Sequence, residues 1–171
     1  MTAQSEADIH FFTDGSGFGN GIGAAAILMR EGQEPKSLQF HLGTGSKQVV
    51  YGGEAVGLLL GAELLRQETD PFASVCFCTD NQAAILSAGN YRPGSGRFIL
   101  EWFRDTLDRA KTKNGNFACQ LMWTPGHCGI EGNEMADDLA KQAALGHSIN
   151  RRRLPRYLRH PLPASKAAVK Q

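Results

Sequence analysis

A chain of 171 residues is long enough for one domain and a tail. At 42% apolar and 20% charged it has an ordinary globular composition, neither disordered nor fibrous. Its longest apolar stretches, 23–29 and 55–65, fall short of the roughly 18–20 residues a membrane span requires. Seven of its 18 cations and none of its 17 anions lie in residues 147–171, so this tail carries +7 and everything before it −6. Such a split points to a polyanion partner or to a solvated tail. The first dozen residues hold Glu6 and Asp8 and no base, unlike a secretory or transit signal. Cys76, Cys78, Cys119 and Cys128 form no CxxC pair and read as the free thiols of an intracellular protein, cytoplasmic or nuclear.

In chain order, Asp8–Asp14 reads as a short strand stopped by the turn signal Asp14-Gly15-Ser16. The glycine-rich stretch Gly17–Gly23 leads into a second strand, Ala24–Met29, and after a turn at 31–35 Ser37–Leu42 is a third. Tight turns between them predict an antiparallel meander. From Val50 to Glu68 the spacing becomes helical and apolar nearly all round, which predicts a helix buried on most sides. Ala73–Thr79 is a strand ending at Asp80, followed by a short helix from Gln82 to Ala88, a break at Asn90–Ser95 and a helix over Phe98–Lys111. Phe117–Trp123 is a fifth strand, Thr124–Gly132 a loop, and Glu131–Leu145 a last helix stopped by Gly146.

Strands separated by helices call for parallel pairing with right-handed crossovers. The fold class is therefore α/β, a five-stranded mixed sheet of three antiparallel then two parallel strands, flanked by helices. The chain divides into an N-terminal extension (1–7), a catalytic domain (8–146) and a basic, flexible C-terminal tail (147–171).

Two of the strands end on aspartates, Asp14 and Asp80, and ligands of open α/β sheets bind beyond the carboxyl ends of parallel strands. Position alone would leave Asp14 a turn former and Asp137 a surface charge. Glu54, early in an apolar helix, has no solvated face to excuse it. If the four converge, like charges 4 Å apart repel by about 4 kcal/mol at an effective dielectric of 20. Hard oxygen ligands then call for Mg²⁺, with Mn²⁺ as a substitute.

The blocks Thr13-Asp14-Gly15-Ser16, Gly53-Glu54-Ala55, Thr79-Asp80-Asn81 and Trp123-Thr124-Pro125-Gly126-His127-Cys128-Gly129-Ile130-Glu131-Gly132-Asn133-Glu134-Met135-Ala136-Asp137 resemble, in order, the signatures of type 1 ribonuclease H. The resemblance covers about residues 8–146 and implies the ribonuclease H-like fold. It also implies a metal-dependent endonuclease that cuts the RNA strand of RNA–DNA hybrids, leaving 5′-phosphates, through two metal ions. Carried over, Asp14, Glu54, Asp80 and Asp137 match the catalytic, metal-binding carboxylates, with Asp138 a rival for the fourth place. His127 matches a mobile-loop histidine that assists proton transfer or product release. Gly15, Ser16, Asn81 and Gln82 match positions near the substrate, where the RNA 2′-hydroxyl distinguishes a hybrid from DNA. His10, His41, His147 and His160 lack such a context.

Two departures stand out. Many family members carry Thr-Asn before the helix glutamate, where this chain has Val49-Val50-Tyr51-Gly52-Gly53, and there is no room between Asp80 and Trp123 for the extra basic helix and loop of many cellular enzymes. The Val-Tyr-Gly-Gly-Glu lead-in and the strand Gly-Ile-Gly-Ala-Ala-Ala look more like ribonuclease H domains attached to reverse transcriptases of fungal non-LTR retrotransposons. That implies an RNA–DNA hybrid as partner and a reverse transcriptase in the same polyprotein; the short apolar stretches separately predict no membrane partner, and a monomer is expected. The alternatives are a non-catalytic nucleic-acid-binding module on the same fold, or another two-metal nuclease such as an integrase or junction resolvase. The tail either holds duplex phosphates or is a linker left from a longer polyprotein.

Overall fold

The computed structural model describes residues 5–89, 96–147, 149 and 151–169. Its sheet contains β1 (Ile9–Phe18), β2 (Gly21–Met29), β3 (Lys36–Thr44), β4 (Ser74–Thr79) and β5 (Ala118–Trp123), in the order β3-β2-β1-β4-β5. The β1–β2 and β2–β3 pairs are antiparallel; β1–β4 and β4–β5 are parallel. The expected mixed sheet is therefore present. The helices are α1 (Val50–Gln67), α2 (Gln82–Gly89), α3 (Arg97–Asn114) and α4 (Glu131–Ala144).

Helices cover both faces of β1, which follows from its alternation. Thr13 faces α1, where Gly61 lies against its methyl group, while Phe12 faces α4, where Gly132 lies against its ring. α1 packs on the sheet on one side and on α3 on the other, so its apolar residues need not form a stripe. Through this layer Phe11 stacks on Phe77 with centroids 4.6 Å apart, and Phe103 meets Phe77 edge to face at 5.4 Å. On the opposite face, β2 is small-residued: a Cβ at Gly23 would overlap the Ala140 carbonyl and the Ala144 nitrogen. α4 therefore packs backbone against backbone. Cys76 and Cys78 are buried on one face with their sulfurs 3.7 Å apart, unbridged as the i, i+2 spacing predicts.

Two expectations are corrected. β1 does not stop at Asp14: it pairs with β2 through Gly15↔Ala24, Ser16↔Gly23 and Gly17↔Ile22 as far as Phe18, and the turn falls at Gly19-Asn20. Aspartate and glycine weaken a strand in isolation, but here β2 completes the ladder on one side, and tertiary pairing overrides propensity. The tail is also not a loose appendage. Residues 151–153 and 156–158 form two single 3-10 turns and Lys166–Val169 a short helix, α5. Leu154 and Leu158 are 1% and 2% exposed within the core cluster, and Tyr157 stacks on Trp102 at 4.9 Å. Three prolines and weak periodicity hide two leucines and a tyrosine that have an apolar helix layer to cover. The break expected at 90–95 lies outside the described residues.

Candidate active site

The β1–β4 ladder ends at Phe12↔Cys78, and Asp14 and Asp80 each stand two residues further on. The two carboxylates thus emerge side by side at the carboxyl end of the parallel pair. α1 delivers the third. A Cβ at Gly15 would overlap the Glu54 nitrogen and the Gly53 carbonyl carbon, so a glycine here lets the first turn of α1 rest directly on β1. Glu54 then sits against Asp14. Oxygens of Asp14, Glu54 and Asp80 all lie within 4.8 Å of one another.

This crowding shows in the acidities. Burial, then the charges of Asp80 and Asp137, raise Asp14 from 3.8 to about 7. Burial, then Asp14 and Asp80, raise Glu54 from 4.5 to about 9. The Gly15 N–H and the Asn81 side chain, both hydrogen-bonded to Glu54, lower it in part. Two other buried glutamates on or just past α1 offer a comparison. Glu63 accepts from Arg66 at 2.6 Å and Glu68 faces Lys36 at 3.2 Å. Glu54 is equally buried, at 4% exposed, yet among the described residues no Lys or Arg pairs with it and its Oε2 has no partner. A buried carboxylate normally has a cation or donors. Three carboxylates sharing one site, one oxygen unpartnered, fit a hard divalent cation.

Asp137 lies in the second turn of α4, close enough to hydrogen-bond Asp14, while its own Oδ2 accepts from Lys141 at 2.6 Å. It borders the three-carboxylate cluster without belonging to it. Asp138 is exposed, whereas Asp137 is half-buried and its charge helps to raise Asp14.

His127 occupies the β5–α4 loop, exposed and with φ 55°, an uncommon conformation for a side-chain-bearing residue. The loop touches the site through Gly126, where a Cβ would stand 2.5 Å from Asp80 Oδ2. Gly15 and Ser16 lie in β1. Asn81 caps α2, its Oδ1 accepting from the Ala84 nitrogen at 2.9 Å, and Gln82 is exposed in the first turn of that helix.

Sequence reasoning missed Lys141 and Trp123. The i, i+4 spacing of Asp137 and Lys141 on a helix was the available signal. Trp123, 47% exposed, donates from Nε1 to the Asp80 carbonyl at 3.1 Å, and the Thr124 nitrogen donates to the Thr79 carbonyl at 2.9 Å. Together they tie β5 to the carboxyl end of β4; no local pattern marks that link.

No protein-family model matches the chain. Curated relatives do. Ribonuclease HI of Neisseria meningitidis serogroup B is 28% identical over 155 residues, covering 82% of this chain and 97% of the relative. Ribonuclease H of Pectobacterium carotovorum is 29% identical over 153 residues, covering 80% and 89%. Among solved structures, RNase H1 of the halophilic archaeon Halobacterium salinarum has a TM-score of 0.54 at 18% identity, covering 79% of this chain and 96% of that one. LC11-RNase H1 in complex with an RNA/DNA hybrid has a TM-score of 0.57 at 17% identity, covering 80% and 96%. The fold is that of ribonuclease H, and the chain is a relative of enzymes bearing that name.

Proposed function

We propose that the protein is itself a ribonuclease H: a divalent-metal-dependent endonuclease that hydrolyses the RNA strand of RNA–DNA hybrids and leaves 5′-phosphates. The observation that carries this reading is the trio of buried Asp14 and Glu54 and half-buried Asp80, mutually within 4.8 Å, with no cationic side chain of the described residues on Glu54. The curated relatives and the hybrid-bound structural neighbour support the substrate class.

Asp14, Glu54 and Asp80 would hold the metal, with Asp137 at the rim once it leaves Lys141. Two Mg²⁺ ions, or Mn²⁺ in their place, would supply an activated water and a counter-charge for the leaving oxygen. The chain's own groups do the rest. Gly15 and Asn81 stabilise ionised Glu54 by donating to it. We read His127, exposed on the loop that meets Asp80 through Gly126, as the group that carries a proton or helps release product. We read Gly15, Ser16, Asn81 and Gln82, which follow Asp14 and Asp80 in the chain, as the residues whose backbone and amide groups meet a 2′-hydroxyl.

For the biological setting we read the ribonuclease H domain of a retroelement reverse transcriptase, acting in one polyprotein with it. The Val-Tyr-Gly-Gly-Glu start of α1 and the Gly-Ile-Gly-Ala-Ala-Ala start of β2 support this, and a reverse transcriptase encoded immediately upstream is the expected finding.

The activity is tested with end-labelled RNA–DNA hybrid, single-stranded RNA, double-stranded RNA and double-stranded DNA, each with Mg²⁺ and with EDTA. Hybrid cleavage alone, dependent on Mg²⁺ and lost in Asp80→Asn, is the expected result. Cleavage retained in that variant, or cutting of duplex DNA, refutes the reading.

A further inference from the structure

The packed C-terminal segment turns its charge into a surface of fixed shape. It starts at the far end of α1, where the Arg153 carbonyl accepts from Gln67 at 3.0 Å. It crosses the middle of α3, where Tyr157 stacks on Trp102 and its hydroxyl bonds Asp105. It returns to the start of α1, where the Ser165 nitrogen donates to the Lys47 carbonyl at 2.6 Å and Gln48 donates to the Pro163 carbonyl at 3.1 Å. It thus spans the length of α1, 18 residues or about 27 Å. Buried Leu154, Pro155 and Leu158 hold it down, while Arg151, Arg152, Arg153, Arg156, Arg159 and Lys166 are exposed along it. No acid interrupts the run in sequence, and in space Asp105 of α3 meets it at Arg156, 3.7 Å away. Lys166 lies beside a cavity of about 530 Å³ that Tyr51 and Phe98 also line, a few residues before Glu54.

We propose that this strap is a phosphate-binding strip for the stretch of duplex beyond the cleft. The idea rests on the ribonuclease H reading and adds a second contact surface to it. Three features favour a nucleic-acid backbone over other polyanions. The strip is dominated by arginine, whose planar fork grips phosphate oxygens in pairs. Its length, about 27 Å, approaches a duplex turn of about 34 Å. It also ends at the start of the helix that carries Glu54, whereas residues 1–146 carry a net −6 and repel a polyanion. The strip supplies the attraction that the acidic centre withholds.

The test is hybrid affinity against salt in EDTA, using the full chain and the variant Arg151→Gln, Arg152→Gln, Arg156→Gln, Arg159→Gln. One hybrid has about 30 base pairs, roughly three turns, and the other about 8, less than one turn. Loss of two phosphate contacts lowers the slope by about 1.8, so the variant's affinity at 50 mM salt falls roughly tenfold more than at 200 mM. That effect is expected on the long hybrid and not on the short one. Equal slopes for both proteins on the long hybrid overturn the proposal. So do an unchanged hybrid slope and lost binding to phosphatidylserine–phosphatidylcholine vesicles, which would make the strip a lipid surface. If the fourfold variant fails to fold, Arg151→Gln, Arg152→Gln, which touches only the first 3-10 turn, is read by the same criterion. Failure of the wild type to cleave hybrid overturns the activity reading, while the slopes still decide the strip.

Discussion

Asp14→Asn separates the site from the scaffold. In the metal-free protein Asp14 is raised from 3.8 to about 7 by burial and by Asp80 and Asp137, so keeping it ionised costs folding free energy. The full rise corresponds to about 4 kcal/mol, and coupling to the protonation of Glu54 brings the expected effect nearer 2 kcal/mol. The sign follows from the direction. A carboxyl whose folded pKa lies above its unfolded one imposes no penalty below about 4; the penalty then grows as pH rises and is complete above about 7. Asp14→Asn should therefore match wild-type stability near pH 4 and exceed it at pH 8 by about 2 kcal/mol, or roughly 4–8 °C for a chain of this size. Thermal unfolding in EDTA at both pH values measures this. With Mg²⁺ the order should reverse, because the wild type gains a ligand that binds only the folded state and the variant does not. Hybrid cleavage should vanish. A variant less stable than wild type at pH 8 without metal refutes the crowded-carboxylate argument.

Gly126→Ala places a methyl 2.5 Å from Asp80 Oδ2, and should weaken apparent Mg²⁺ affinity in the cleavage assay at least tenfold, about 1.4 kcal/mol, with little change in thermal midpoint. Asn81→Ala removes the cap of α2 at about 1 kcal/mol and a hydrogen bond that lowers Glu54. Glu54 then ionises less readily, so the acid limb of the pH–rate profile should move to higher pH. Leu154→Ala opens a cavity at a residue 1% exposed and should cost about 2–5 kcal/mol in urea unfolding. A cost within experimental error would return the C-terminal segment to a loose tail.

Much of this molecule could be read along the chain. The order of strands and helices follows from periodicities of 2 and 3.6 and from turn residues, which are local properties. Glu54 could be singled out because a charge within an apolar helix is hard to excuse, whereas Asp14 and Asp80 are marked by the strands they follow or lie in and by the signature blocks around them. Their approach to within 4.8 Å depends on the β1–β4 register and on the glycine contact between β1 and α1, which join residues 40 to 66 positions apart. The same limit explains the two corrections. Gly15 and Ser16 look like a turn until β2 supplies their hydrogen bonds, and 151–169 looks like a linker until α1 and α3 offer an apolar surface for Leu154 and Leu158. Sequence alone decided which groups carry charge and which segments favour helix or strand, because those preferences reside in the residue and its neighbours. Tertiary structure decided which charges share a site, and whether the basic segment is held in place, because burial and electrostatic coupling arise only when distant segments exclude water together.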